Sequence, residues 1–224
     1  MSAQRTLLRR SERVETTDFL YAFAKDSSKE LRSRVIALYS ISQRLLTSSR
    51  FPCSRVLEKL ASLSKDPSLC AFVMRALGDL GIDLVTKGKP GLGPVDLLKA
   101  GLNSADPRTR LEAIVSTVRQ NRSELAHEIA KGLGDADPTL AHIAYRAIET
   151  LGTSQPALSV LKNSSSSSSQ RRGASFALMR IHSTKVVSSL VEHLKDPQDV
   201  LFDNSFEVLA RLYHKEKEWD SKHW

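Results

Sequence analysis

The 224-residue chain has little cysteine, few aromatic residues and no long apolar run. Two cysteines are too few for a disulfide framework or, with six scattered histidines, for a zinc site. We find neither the apolar run of a secretory signal nor the roughly 18 consecutive apolar residues that indicate a membrane-spanning helix. Only 6% of the residues are aromatic, whereas leucine, alanine, valine and isoleucine are abundant, so we expect an all-α fold.

Sequence motifs that carry catalysis or hold cofactors are also missing. The chain lacks the His-Glu-x-x-His, Gly-x-Ser-x-Gly and Cys-x-x-Cys-His patterns. The stretch TKGKPGLGP at 86–94 is glycine-rich like a phosphate loop, but it lacks the Gly-Lys-Ser/Thr ending, so we interpret it as a connection. We therefore expect a non-enzyme with no cofactor, no metal and no catalytic residue.

The net charge of +8 is unevenly distributed. Residues 1–55 contain eleven Lys and Arg against five Asp and Glu, a balance of +6, which leaves +2 for the rest. An anionic partner would therefore meet this end first, although a solvated helical surface explains the same composition. The candidate phosphate contacts are Arg32, Arg34, Arg44, Arg50 and Arg55.

Two stretches of the chain, 64–81 and 132–152, share one apolar pattern. Leu69, Phe72, Val73, Ala76, Leu77 and Leu80 correspond, at a constant offset of 71, to Leu140, Ile143, Ala144, Ala147, Ile148 and Leu151. Steps of three and one residue form a continuous stripe on one face of a helix. A glycine follows each stripe, Gly81 and Gly152, where a left-handed C-terminal cap is expected.

An Asp-Pro pair precedes each of these helices and marks a helix start. The Asp side chain accepts hydrogen bonds from the unpaired amides of the first turn, and Pro has no amide hydrogen that would need a partner there. The four pairs begin at Asp66, Asp106, Asp137 and Asp196. The widest interval hides a further unit, in which the serine run 164–169 replaces Asp-Pro. A sixth unit starts after Asp26. The serine run is interpreted as a flexible linker, with a phosphorylation cluster beside Arg171 and Arg172 as the alternative.

A short helix, an Asp-Pro turn and a second helix ending in Ala-x-x-Leu-Gly resemble the HEAT repeat, particularly its compact bacterial form. The resemblance implies a right-handed α-solenoid of about six helix pairs over residues 18–214, between a basic extension (1–17) and a charged tail (215–224). Such repeats often carry an Arg after the Asp that bonds the neighbouring loop. Only Arg110 and, more loosely, Arg32 match, so we expect apolar packing to dominate between units.

The resemblance implies a non-catalytic scaffold that binds a protein partner along its second helices. One alternative is a nucleic-acid-binding protein such as a DNA alkylation repair glycosylase, although the two tryptophans lie beyond the array. The array also resembles the HEAT segment of large secreted bacterial proteins that join dehydrogenase and c-type haem domains. We expect a cytoplasmic protein if the chain is complete, and a periplasmic or secreted one if it is a fragment.

The last helix carries more apolar residues than one preceding repeat can cover. Phe202, Phe206, Leu209, Leu212 and Tyr213 lie within a dozen residues. A repeat array needs polar ends, because each terminal unit otherwise exposes the face meant for its neighbour. We therefore predict that Phe206 and Tyr213 form an interface, either in self-association or with a further domain.

Overall fold

The computed structural model describes residues 14–47, 53–86 and 94–214, which form twelve α-helices and no strand. The helices are α1 (Val14–Lys25), α2 (Leu31–Thr47), α3 (Cys53–Leu63), α4 (Pro67–Thr86), α5 (Val95–Leu102), α6 (Pro107–Arg119), α7 (Ala126–Ala130), α8 (Pro138–Thr150), α9 (Ser154–Lys162), α10 (Ser168–Leu178), α11 (Thr184–Val191) and α12 (Phe202–Leu212). The all-α prediction is confirmed. Within these ranges, no helix combines the length and the apolar character needed to cross a membrane.

The helices pack in successive pairs, and the chain divides into two compact units, 1–125 and 126–224. In unit 1, each odd-numbered helix contacts the next even-numbered one, and α4 contacts both α2 and α6. Unit 2 repeats this arrangement with α10 between α8 and α12. The even-numbered helices, which we call the second helices, therefore form a continuous layer within each unit.

The apolar stripes that defined the repeat are the core of the second helices. In α4, the buried stripe residues are Leu69, Val73, Ala76, Leu77 and Leu80; in α8, they are Leu140, Ala144, Ala147 and Ile148. The unit hidden behind the serine run is confirmed, because Ala174, Ala177 and Leu178 are also buried. In α11, Val186 and Leu190 are buried, whereas Val187 and Val191 are exposed.

Three of the four Asp-Pro pairs start a helix as predicted. Asp106 and Asp137 are the N-caps of α6 and α8, accepting from the amides of Thr109 and Thr139, and α4 begins directly after Asp66. The prediction for Asp196 is wrong. Its carboxylate accepts from the amide of Gln198 in a turn, and α12 begins only at Phe202.

The shift of the last helix start has a local cause in a second aspartate. Asp199 accepts from the amide of Leu201 at 2.8 Å and lies 2.8 Å from Nδ1 of His193. Both contacts hold the pKa of Asp199 below its usual value, the His193 hydrogen bond being the larger cause. The chain therefore forms one further turn before α12 begins. The positions of the Asp-Pro pairs do not predict this turn.

A buried arginine links the first two helix pairs. The side chain of Arg34 is 6% exposed; its Nε donates to the carbonyl of Ala24 at 2.8 Å, and its Nη2 pairs with the carboxylate of Asp66. Aligning this repeat unit on Asp26 predicts Arg32 for this role. Helix α2 begins only at Leu31, five residues after Asp26, so the fourth residue of the helix is Arg34.

The same fourth position holds an arginine in α6 and α10. Arg110 donates to the carbonyls of Ser104 and Ala105 at 3.0 and 3.1 Å, within the loop that precedes its own helix. Arg171 donates similarly to the carbonyls of Asn163 and Ser164. Arg171 was missed in the sequence because a serine run takes the place of the Asp-Pro turn. The polar connections of these loops are thus more extensive than predicted.

Part of the serine run begins a helix and is not a flexible linker. Ser167 is the N-cap of α10, accepting from the amide of Gln170, while the Gln170 side chain accepts from the amide of Ser167 at 2.8 Å. This reciprocal capping box satisfies two amides that the helix itself cannot. Ser168 and Ser169 lie in the first turn of α10.

The two glycines expected to terminate helices behave differently. Gly152 has φ +64° and ends α8 as predicted. Gly81 lies inside α4, so its predicted capping role is wrong. A Cβ at Gly81 would come within 2.2 Å of Cγ of Gln120, the residue that follows α6. Gly81 therefore serves the close approach of two second helices.

Candidate functional site

Three aromatic side chains form a ridge on the second helices of unit 2. His142 and Tyr145 lie one turn apart on α8, with ring centroids 4.9 Å apart and Tyr145 Oη 2.7 Å from His142 Nδ1. Phe176 on α10 lies 5.5 Å from Tyr145, centroid to centroid. We call these three residues the aromatic ridge. The ridge spans two second helices and joins them at the surface.

A hollow of about 450 Å³ opens beside the ridge, toward the C-terminal ends of α8 and α10. The further residues that line it are Arg146, Met179, Arg180 and Arg211. Glu149 lies close to it, 2.6 Å from a guanidinium nitrogen of Arg146 and 3.9 Å from one of Arg180. Arg146 and Arg180 thus share one carboxylate, and we call this region the arginine hollow.

A second hollow, of about 260 Å³, lies along the same ridge toward the N-terminal ends of α8 and α10. Its further lining residues are Leu133, Gly134, Asp135, Pro138, Ala141, Ser169, Arg172 and Gly173. Arg172 places its guanidinium 5.5 Å from the ring centroid of Phe176. Because its walls are mostly apolar or backbone, we call it the apolar hollow. The ridge and the two hollows together are the groove.

The close approach that shapes the apolar hollow requires glycine. A Cβ at Gly173 would lie 1.9 Å from the carbonyl oxygen of Leu133, and one at Gly134 would lie 2.8 Å from the amide of Gln170. Both distances are below van der Waals contact, so a larger residue would push α10 away from the loop before α8. Gly134 and Gly173 thus allow the close approach of the two helices that bear the groove.

Unit 1 also has an aromatic cluster on its second helices. Tyr39 on α2 and Phe72 on α4 meet edge to face at 6.4 Å, and Arg108 on α6 lies 4.4 Å from the Phe72 ring centroid. Burial raises the pKa of Tyr39. Carboxylates pair with the neighbouring arginines here: Glu112 with Arg75, and Asp79 with Arg119. Arg75 and Arg119 therefore each have a carboxylate of their own, whereas Arg146 and Arg180 share Glu149.

The structure assigns the predicted phosphate contacts to different environments. Arg34 is buried in its contacts with Ala24 and Asp66, so this internal role replaces the predicted phosphate contact. Arg55 pairs with Asp18 at 3.0 Å, and Lys59 pairs with the same carboxylate. Arg32 is exposed on α2. Arg50 and the side chain of Arg44 lie outside the described residues. The described members thus form no common anion site.

The two residues predicted to form an interface are solvent-exposed. Phe206 is 61% and Tyr213 is 95% exposed on the last helix pair, whereas Leu212 is buried. Their exposure agrees with the reasoning from sequence, and the association itself stays a prediction.

The groove was not identified from the sequence, because its residues come from three separate helices. His142 was interpreted as a histidine on the flank of a helix, and Arg180 and Arg211 were not singled out. A local signal was present: His142 with Tyr145, and Arg172 with Phe176, lie three and four residues apart and outside the apolar stripes. Such pairs share one helix face and mark the exposed surface of the second helices.

No protein-family model matches the chain, and a search of curated protein sequences gives no match. Solved structures do match. An engineered protein from the Northeast Structural Genomics Consortium aligns with 90% of this chain and 59% of its own, at 16% identity and a TM-score of 0.51. The fold is a HEAT-like helical repeat.

Two further solved structures are similar over most of their length. A second engineered protein from the same consortium aligns with 88% of this chain and 96% of its own, at 15% identity and a TM-score of 0.49. Human deoxyhypusine hydroxylase, in complex with glycerol, aligns with 96% of this chain and 90% of its own, at 16% identity and a TM-score of 0.43. At such identities, structural likeness bears on the fold and not on function.

Proposed function

We propose that this protein is a non-catalytic interaction module whose groove binds an acidic segment of a protein partner. The observation that carries the proposal is the aromatic ridge with an arginine-rich hollow at one end and an apolar hollow at the other. A HEAT-like repeat fold is compatible with a scaffold role.

The arginine hollow favours carboxylates of the partner. A guanidinium donates in a fixed, forked geometry that matches a carboxylate, and Arg is enriched in protein interfaces for this reason. Glu149 already pairs with Arg146 and, at a longer distance, with Arg180. Two arginines that share one glutamate leave a net positive charge, which an incoming acidic side chain would offset.

The ridge and the apolar hollow favour an apolar side chain next to those carboxylates. Aromatic side chains provide much contact area at a low cost in conformational entropy, and buried aromatic residues dominate binding energy at many interfaces. Leu133, Pro138 and Ala141 form apolar walls beside Tyr145 and Phe176. A segment with an apolar residue followed or preceded by Asp or Glu would fill both hollows.

A protein partner fits the groove better than a nucleic acid does. A nucleic acid needs a continuous track of cations for its phosphates, whereas Asp135 and apolar side chains line one half of this groove. At the other end of the chain, Arg34 and Arg55 are engaged by Asp66 and Asp18. The resemblance to the HEAT segment of dehydrogenase and haem proteins would place the partner segment in an adjoining domain, which stays a prediction.

Selection from a random displayed peptide library tests the proposal. We expect the wild-type chain to enrich peptides that combine Asp or Glu with an apolar residue. The Arg180→Glu/Arg211→Glu variant should lose this enrichment, because it reverses the charge of the hollow. The Lys185→Glu variant is the matched control, since it reverses an exposed charge on α11 outside the groove.

Four results would contradict the proposal. One is enrichment of non-acidic peptides, and another is equal enrichment by the charge-reversed variant. The third is tighter binding of a single-stranded oligonucleotide, with the steep salt dependence of phosphate contacts, which would favour the nucleic-acid alternative. Turnover of any substrate by the purified chain would contradict the non-catalytic role.

A further inference from the structure

His142 and Tyr145 form a hydrogen-bonded pair on α8 that lines both hollows of the groove. Tyr145 Oη lies 2.7 Å from His142 Nδ1, so one of these two atoms donates to the other. His142 is exposed, and Tyr145 is partly buried. Histidine is the side chain that ordinarily changes its charge between about pH 5 and pH 8. The pair therefore couples the charge of the groove to a hydrogen bond within it.

The protonation of the imidazole decides the direction of this hydrogen bond. In a neutral imidazole one nitrogen is an acceptor, so the Tyr145 hydroxyl can donate its hydrogen to Nδ1. In a protonated imidazole both nitrogens are donors, so Nδ1 of His142 must donate and Tyr145 Oη must accept. The hydroxyl hydrogen then turns away from His142 and can be donated to an acceptor in the groove. Protonation thus adds a positive charge and frees a donor at the same place.

The charged groups around His142 come from three second helices and one loop. On its own helix, Arg146 follows one turn later and pairs with Glu149, and Asp135 lines the apolar hollow from the preceding loop. Of the described residues, none on α7 or α9, which also pack on α8, lines either hollow. Among the side-chain types of the groove, only histidine ordinarily titrates between about pH 5.5 and pH 7.5. The charged lining residues of the neighbouring second helices are Arg172 and Arg180 on α10 and Arg211 on α12.

We propose, on the basis of the proposed function, that protonation of His142 increases the affinity of the groove for an acidic partner segment. Binding is then stronger in mildly acidic solution than at neutral pH. The carboxylates of the partner remain charged there, because Asp and Glu ordinarily titrate near about pH 4. They meet the added charge on His142 and accept a hydrogen bond from the Tyr145 hydroxyl. Both contacts are complete only when the imidazole is protonated.

The size of the effect follows from the distance at which the added charge acts. A unit charge about 4 Å from a carboxylate in water changes an equilibrium constant by roughly fivefold. Part of the histidine population is already charged at about pH 7.5 and part is still neutral at about pH 5.5, which reduces the observed change. We therefore expect the dissociation constant to fall about three- to fivefold between these two pH values.

Fluorescence anisotropy with a labelled synthetic peptide, Gly-Asp-Asp-Leu-Asp-Asp-Gly, tests the proposal on the full chain. With a dye whose emission does not depend on pH, the wild type should bind about three- to fivefold more tightly at about pH 5.5 than at about pH 7.5. His142→Gln should bind equally at the two pH values, because glutamine is polar and does not titrate. His127→Gln is the matched control and should respond as the wild type does, since His127 is exposed on α7 and lines neither hollow.

Tyr145→Phe separates the freed donor from the added charge. This variant keeps the aromatic ring and lacks the hydroxyl, so its response to pH should be smaller than that of the wild type. An equal response overturns the role of the hydroxyl.

The outcomes distinguish this inference from the proposed function. A wild type that binds the peptide equally at both pH values overturns the inference and leaves the proposed function standing. A pH response that persists in His142→Gln overturns the inference in the same way. Absence of binding at both pH values overturns the inference and contradicts the proposed function as well.

Discussion

Replacing Arg34 by methionine tests the polar link between the first two helix pairs. The substitution keeps an apolar stem of similar length in the buried site and removes the guanidinium. The carbonyl of Ala24 then loses a donor at 2.8 Å, and the carboxylate of Asp66 loses its cationic partner. Both acceptors would have to find water in a site where Arg34 is only 6% exposed.

The expected loss follows from the burial of each partner. Removing one member of a buried ion pair costs about 3–5 kcal/mol. Because 32% of the Asp66 side chain is exposed, water can partly hydrate its carboxylate in the variant. The loss in free energy of unfolding therefore lies at or below the lower end of this range. We expect the free energy of unfolding to fall by about 2–3 kcal/mol. For a chain of this length, each kcal/mol corresponds to roughly 2–4 °C in Tm.

Urea and thermal unfolding followed by circular dichroism measure this change. Arg32→Met is the control, because Arg32 lies two residues away on the same helix and is exposed. Its effect should stay within about 0.5 kcal/mol, as for other exposed sites. If both variants unfold at the same urea concentration, Arg34 does not stabilise the helix pairs and the reasoning is wrong.

Further predictions concern acid stability and helix packing. Hydrogen bonds from Arg34 and Ser68 lower the pKa of Asp66. The contribution of Asp66 to the free energy of unfolding is therefore present at neutral pH and is lost as the pH falls through that lowered value. Asp66→Asn should flatten the decrease in stability below about pH 4, measured by urea unfolding. Gly173→Ala should destabilise unit 2 by at least about 1–3 kcal/mol, because its Cβ would meet a backbone carbonyl, whereas Gly132→Ala, with ordinary contacts, should not. Ser167→Ala removes the cap of α10 and should cost about 1 kcal/mol in thermal unfolding; an unchanged Tm would contradict its capping role.

The fold could be predicted from the sequence because the apolar stripes, the helix starts and the repeat spacing all indicate the same unit. The stripes of α4 and α8, their Asp-Pro starts and their common offset indicate one repeating unit, and burial of Leu69 and Leu140 confirms it. The errors have two different origins. Gly81 lies inside a helix where Gln120 of a distant segment packs against it, and this tertiary contact leaves no trace in the local sequence. The late start of α12 is local, because Asp199 accepts from Leu201 and contacts His193, six residues earlier.

The groove could not be predicted because it depends on which helices are neighbours. Tyr145 and Phe176 are 31 positions apart in the chain, a little less than one repeat, and meet only when α8 packs on α10. Charge counting drew attention to residues 1–55, where the total is high. It could not show that Asp18 and Asp66 neutralise Arg55 and Arg34. Local charge balance after folding, and not the regional sum, decides where an anionic ligand can bind.

Amide hydrogen exchange with an acidic peptide selected on the wild-type chain tests the central claim most directly. The peptide should slow exchange in α8 and α10, which carry the aromatic ridge, and leave α2 and α4 unchanged. The protection should disappear with Arg180→Glu/Arg211→Glu and persist with Lys185→Glu. Protection confined to unit 1, or protection that survives reversal of the groove charges, would contradict the assignment of the groove as the binding site.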